Sequence, residues 1–212
     1  MVSEMRTRLG SLRGVPVPPD DGTRFSAWIE TTRAPRSGVA GRARVGALLL
    51  PPPVPSPLLI DPARFADAPV LFGPERIREV NPQRFEFELL SGVVYYAEGD
   101  DLCVGFYEVR EEGFWARGHV PGRPVFPGVL MIEAAAQLCT FFWNLRTNAP
   151  KGGFYGFGGV DDVRFRGVVA PPCRLLVATL LLQMRPRVAR WDAQAFVGGE
   201  RVFEGKILGT VV

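Results

Sequence analysis

VLMIEAAAQLCTFFWNLR, residues 129–146, decides how this 212-residue chain folds. The stretch contains no Gly or Pro, and it is apolar nearly all the way round, with Ala134, Ala135 and Ala136 at its centre. A helix that is hydrophobic on every side has no face to offer solvent and must be surrounded. At ~1.5 Å per residue it spans about 27 Å. The segments that can surround it read as strands. Leu89–Glu98 is β-rich, closes on Gly99-Asp100-Asp101, and finds a hairpin partner in Leu102–Arg110. Downstream come β-rich Phe154–Arg166, the apolar run Leu175–Met184, and Trp191–Val197. The pair Gly198-Gly199 then signals a tight hairpin into Arg201–Val212. One long buried helix among antiparallel strands predicts an α+β domain whose sheet wraps around the helix.

The N-terminal quarter differs. Residues 1–57 hold nine prolines, and eight Arg against four acidic residues, with no sustained helical or strand period. This predicts a flexible Pro/Arg-rich extension, with Ser26–Thr31 at most a short local element. Residues 58–73 read as a strap over the domain, and 74–212 as the folded domain. Gly73–Val80, GPERIREV, predicts a short helix with Pro74 in its first turn, ended by Asn81-Pro82. The net charge of +3 owes much to the extension, because the remainder carries seventeen basic against eighteen acidic residues. Nucleic-acid binding is therefore poorly supported, and no aromatic-and-Arg run suggests a single-strand surface. Cys103, Cys139 and Cys173 are far apart and odd in number, which predicts reduced thiols, no metal site and a cytoplasmic protein. No uninterrupted apolar run reaches the ~18 residues of a membrane span.

The chemistry gathers where the helix begins, in GHVPGRPVFPGVLMIEAAAQ, residues 118–137. His119 is the only histidine of the chain. Pro121, Pro124 and Pro127 follow it, remove three N–H donors and stiffen the loop. Imidazole is the side chain suited to proton transfer near neutral pH. The plainer alternative is a ring satisfied by the backbone. Pro127-Gly128 stands at the helix start, where unpartnered N–H groups and the helix dipole favour negative charge. Without a side chain at Gly128, a substrate carbonyl can approach and its enolate-like oxygen can be held there; otherwise Gly128 only permits a tight turn. Glu133 is an acid in the greasiest helix of the chain, and needs a partner or a proton. Gln137, at i+4, shares its face and can bond it. A carboxyl group holding its proton in an apolar setting can act as a general acid; the alternative is a polar pair fixing helix register.

The pattern G-H-x-P-G-x-P-x-F-P-G-V-L-x-x-E-A-x-A-Q resembles the 3-hydroxyacyl-[acyl-carrier-protein] dehydratases of the FabA/FabZ type, including the spacing of fourteen from His119 to Glu133. The resemblance runs from about Asn81 to the C-terminus and takes in Phe157–Val169, FGGVDDVRFRGVV. It implies a hot-dog fold, an antiparallel sheet around a long central helix, and a homodimer, and it leaves a trimer of dimers open. It implies that His119 of one subunit faces Glu133 of the other. His119 takes the α-proton of a 3-hydroxyacyl thioester, Glu133 gives a proton to the departing hydroxyl, the N–H of Gly128 holds the thioester carbonyl, and the carbonyl of Val125 orients the imidazole. The partner implied is an acyl carrier protein bearing the acyl chain on phosphopantetheine. No cofactor is implied, because the thioester itself acidifies the α-carbon.

Some positions depart from the family pattern. Val120 replaces the usual Phe after the motif histidine, Gln83 stands in place of an upstream histidine in NPQRFEFE, and Gly156 in place of a gating tyrosine, with Tyr155 one position earlier. Arg123, Arg164 and Arg166 are candidates for the phosphopantetheine or the acidic carrier protein, against the reading that they are ordinary surface arginines. Arg185, Arg187 and Arg190 read as a solvated turn, and Gly152–Gly159 as a loop near the acyl tunnel and not a phosphate loop. Two other readings compete: a hot-dog acyl-CoA hydratase or thioesterase, and a non-catalytic acyl-binding module.

Overall fold

A computed structural model describes residues 56–148 and 155–211. The predicted element at Ser26–Thr31, and all of the predicted extension up to residue 55, lie outside the described residues. The elements in order are α1 (Pro74–Val80), β1 (Gly92–Tyr96), β2 (Leu102–Val109), α2 (Ala116–His119), α3 (Gly128–Thr147), β3 (Tyr155–Phe165), β4 (Cys173–Arg185), β5 (Val188–Val197) and β6 (Glu200–Val211). The six strands form one sheet in the order β1-β2-β4-β5-β6-β3. Every neighbouring pair is antiparallel. This is the hot-dog arrangement, with α3 as the filling.

Local sequence explains the turns. Gly198 and Gly199 take φ +57° and +88°, the left-handed pair that a two-residue hairpin between right-twisted strands requires. α3 stops at Asn148, which adopts φ 47° and donates its N–H back to the carbonyls of Asn144 and Leu145. Sequence periodicity did not reveal α2, a single turn of four residues.

Alternation along the strands builds two cores. Leu175 and Val177 of β4 face α3, while Leu176 and Ala178 face the other way. In the first core Ala134, Ala135, Leu138, Phe141 and Phe142 of α3 pack with Val177, Ala193 and Phe203 of the sheet. The second core lies on the outer face, where Val94, Val104, Phe106, Leu176 and Phe196 are covered by Leu59, Ile60, Phe65 and Ala68. A strand buried on both faces reads as a continuous apolar run, which is why Leu175–Ala178 shows no period of two.

Residues 56–72 thus lie across the outer face within the compact unit Val54–Val212. Ser56 and Pro57, grouped by sequence with the extension, are tied down. Gln194 Nε2 donates to the Pro57 carbonyl at 2.8 Å, and Arg201 Nη1 to the Ser56 carbonyl at 2.8 Å. Leu71 and Phe72 end the crossing by bonding Val93 on the β1 edge. By length and composition, α3 is long and apolar enough to cross a membrane, so the count of uninterrupted apolar residues missed it. Here its apolar surface is taken up by the sheet, with Met131 and the whole run Ala134–Trp143 buried.

Candidate active site

The Pro-rich loop is anchored at one aromatic. Phe126 is buried between Tyr107 and Trp115, with ring centroids 5.6 Å and 5.4 Å away, and its N–H donates to the Val169 carbonyl at 2.7 Å. Upstream, Val120 is extended, as the residue before proline should be, and Arg123 N–H closes a turn onto the Val120 carbonyl at 3.1 Å. Gly122 within this turn has φ +76°, which a side chain would oppose. His119 ends α2, with its N–H on the Trp115 carbonyl at 2.9 Å and its ring exposed. Among the described residues the imidazole makes no hydrogen bond, so the Val125 carbonyl does not orient it within the single chain.

At Gly128, α3 offers the N–H groups of its first turn, which no helical carbonyl can satisfy. The reason for glycine differs from the expected one. A Cβ here would fall 2.9 Å from the ring of Phe165, so that space belongs to an aromatic side chain and is not kept open for substrate. Phe165 is backed by Phe203 at 5.9 Å, and the β3–β6 register shifts between Asp161 and Arg164 just before it, with Asp162 at φ 54°. That irregularity is of the kind that re-aims a side chain. The contact of Phe165 with Gly128 was not predicted from the sequence, since no spacing rule links the two.

Glu133 and Gln137 meet as their i,i+4 spacing predicts. Gln137 Nε2 donates to Glu133 Oε1 at 2.8 Å and to the Phe87 carbonyl at 2.7 Å. Its Oε1 accepts from Leu89 N–H at 3.0 Å, and its own carbonyl accepts from Asn81 Nδ2 at 2.9 Å. Gln137 is 2% exposed and uses both ends of its amide, so the loop 81–89 is locked to the helix. The bond to Gln137 fixes the carboxyl group and leaves Oε2 without a protein partner among the described residues. Glu133 opens into a cleft, together with Gln83, Ala136, Cys139, Thr140, Tyr155, Gly156, Phe157 and the β6 residues Ile207, Leu208 and Gly209. The amide oxygen of Gln83 is buried there without a hydrogen-bond partner. His119 does not line this cleft.

The three candidate arginines separate. Arg123 is exposed beside the Pro-rich loop. Arg164 is exposed and donates to the Asp162 carbonyl at 3.2 Å. Arg166 is exposed and paired with Glu204, which also takes Arg201 at 3.0 Å and the hydroxyl of Ser56. Burial pushes the Glu204 carboxyl up, but the hydrogen bonds from Arg166 and Ser56 and the two guanidinium charges outweigh it and hold the group below the usual glutamate range. Cys103 and Cys139 are buried, and loss of hydration pushes both thiols up, away from nucleophilic use.

The site's context is shared with known proteins. The description "FabA-like domain" matches residues 81–206. Over 138 residues the chain is 34% identical to the 3-hydroxyacyl-[acyl-carrier-protein] dehydratase FabZ of Caldicellulosiruptor bescii, covering 65% of this chain and 97% of that one. Over 145 residues it is 34% identical to the bifunctional enzyme LpxC/FabZ of Chlorobaculum tepidum, covering 68% of this chain and 31% of that longer protein. Among solved structures, the dehydratase heterocomplex ApeI:P from Xenorhabdus doucetiae superposes with a TM-score of 0.56 at 16% identity, over 64% of this chain and 90% of that chain, which speaks for the fold alone. With Glu133, the Pro-rich loop and the central helix all inside the matched region, the chain belongs to the FabA-like family.

Proposed function

We propose that the protein dehydrates (3R)-3-hydroxyacyl groups on acyl carrier protein to trans-2-enoyl groups, in fatty-acid or related lipid synthesis, in a site shared by two copies of the chain. The observation that carries this is the setting of Glu133. Its carboxyl is held at one oxygen by Gln137 and opens into a cleft, while the chain's one imidazole is exposed at the end of α2, outside that cleft. A second copy can bring its His119 to this Glu133.

In the reaction, His119 accepts the α-proton, and the C–H electron pair becomes the new carbon–carbon double bond as the bond to the 3-hydroxyl breaks. Glu133 Oε2 supplies the proton that makes the departing hydroxyl water. The first-turn N–H of Gly128 stabilises the thioester oxygen as charge builds on it. Val125 lies on the loop between the two sites of chemistry and turns its carbonyl to the imidazole once the loop meets a partner. Arg123, Arg164 and Arg166, all exposed, are the arginines placed to meet the phosphopantetheine or the acidic carrier protein. Reduced, unpaired cysteines suit a cytoplasmic setting.

Homodimerisation is supported by the edges of the sheet. The β1 edge is bridged to Phe72. Among the described residues, the eleven-residue β3 pairs on one side only, with β6, and exposes Phe157 and Val160. A long open edge favours pairing with another chain.

The test is ultraviolet detection of the enoyl thioester formed from 3-hydroxyacyl-acyl-carrier-protein. The native protein should raise the absorbance, and His119→Ala should cut the rate by at least about a hundredfold. Release of free thiol without the enoyl signal would make the protein a thioesterase instead.

A further inference from the structure

The Glu133 cleft is closed at one end by aromatic rings. Glu133, Ala136, Thr140 and Trp143 recur at three- and four-residue steps and share one face of α3. The first three line the cleft. At the fourth, the Trp143 indole is covered by the ring of Tyr155, stacked at 4.3 Å with 12° between the planes. Tyr155 also meets Trp191 edge-on at 5.8 Å. On its other side lies Gly209 of β6, where a Cβ would come within 2.2 Å of the tyrosine ring. Tyr155 lines the cleft, is 5% exposed, and is held by rings on two sides and by backbone on a third.

We propose that Tyr155, braced by Trp143 and admitted by Gly209, is the end stop of the acyl pocket. This rests on the dehydratase reading and names its substrate class. From Glu133 to Thr140 the helix rises about 10 Å, and the stacked pair closes the face one turn later. An extended alkyl chain with bonds near 1.5 Å advances about 1.3 Å per carbon. Because Glu133 acts at C3, about eight carbons fit beyond it, and the pocket takes 3-hydroxyacyl chains of about eleven carbons or fewer. The small side chains of Ala136 and Thr140 keep the path open up to the stop.

The experiment measures kcat/KM of the full chain on 3-hydroxyacyl-acyl-carrier-protein substrates of four, eight, twelve and sixteen carbons. For the native protein, kcat/KM should fall at least about tenfold between eight and sixteen carbons, a small part of what burying the added methylenes could contribute. Tyr155→Val should lift the sixteen-carbon value toward the eight-carbon one. Because Tyr155→Val removes core packing, Ala136→Leu serves as the second variant. It leaves Tyr155 in place, narrows the path near Glu133, and should depress eight carbons relative to four. Thermal melts report which variants are folded. A native protein equally active on all four chains, or variants whose profiles run parallel to it, would overturn the end stop and leave the dehydratase reading standing. A native protein inactive on every chain would overturn both.

Discussion

At Gly128 the sequence and the structure agree on the residue and differ on the cause. A glycine at a helix N-terminus reads as space for a ligand, yet the space is filled by the Phe165 ring. Gly128→Ala should force the ring or the helix start to move, at a cost of about 1–3 kcal/mol. A lowered thermal midpoint and a loss of at least about tenfold in kcat/KM are expected. Shortening the obstacle should relieve the strain, so Gly128→Ala with Phe165→Ala should melt higher than Gly128→Ala alone. A single variant that matches the native protein in both respects would remove the contact from the site's construction. Gln137 makes the complementary point: its identity and its bond to Glu133 follow from i,i+4 spacing, while its hold on Phe87 and Leu89 needs a loop some fifty residues away.

At the scale of elements, the strap and β6 are joined through Glu204. Ser56 at the start of the described chain, Arg166 just after β3, and Arg201 within β6 all converge on that carboxylate. Its folded-state pKa lies below the unfolded value. The stability it contributes is therefore fully present above the unfolded glutamate value of about 4.3, and is lost as pH falls through the folded value. Melting temperature should drop between about pH 5 and pH 3, and Glu204→Gln should flatten that drop while lowering stability at neutral pH. Equal acid sensitivity in the two proteins would assign the effect to other carboxylates. The same network includes Arg166, whose guanidinium pairs with that carboxylate.

For the whole molecule, the proposed site completed by a second copy would account for both the open β3 edge and the separation of His119 from the Glu133 cleft. Mixing His119→Ala with Glu133→Ala, each inactive alone, should restore up to roughly a quarter of native activity per site once subunits exchange, as expected for C2 pairs with one intact site in each mixed dimer. No recovery despite proven exchange would place both residues in one subunit's site or remove one from the chemistry.

By itself the sequence determined the central helix, because eighteen residues without a breaker or a polar face can only be buried. It also determined the strands around that helix, the Gly198-Gly199 hairpin, and the Glu133–Gln137 pair, each of which rests on local rules of period, turn and i,i+4 spacing. Only the tertiary structure decided that β4 is covered on both faces, that Arg166 is tied to Glu204, that Phe165 sits over Gly128, and that Tyr155 packs between Trp143 and Gly209. These are meetings of residues far apart in the chain, set by the pairing of strands and by what the sheet brings against the helix, and no local pattern encodes them.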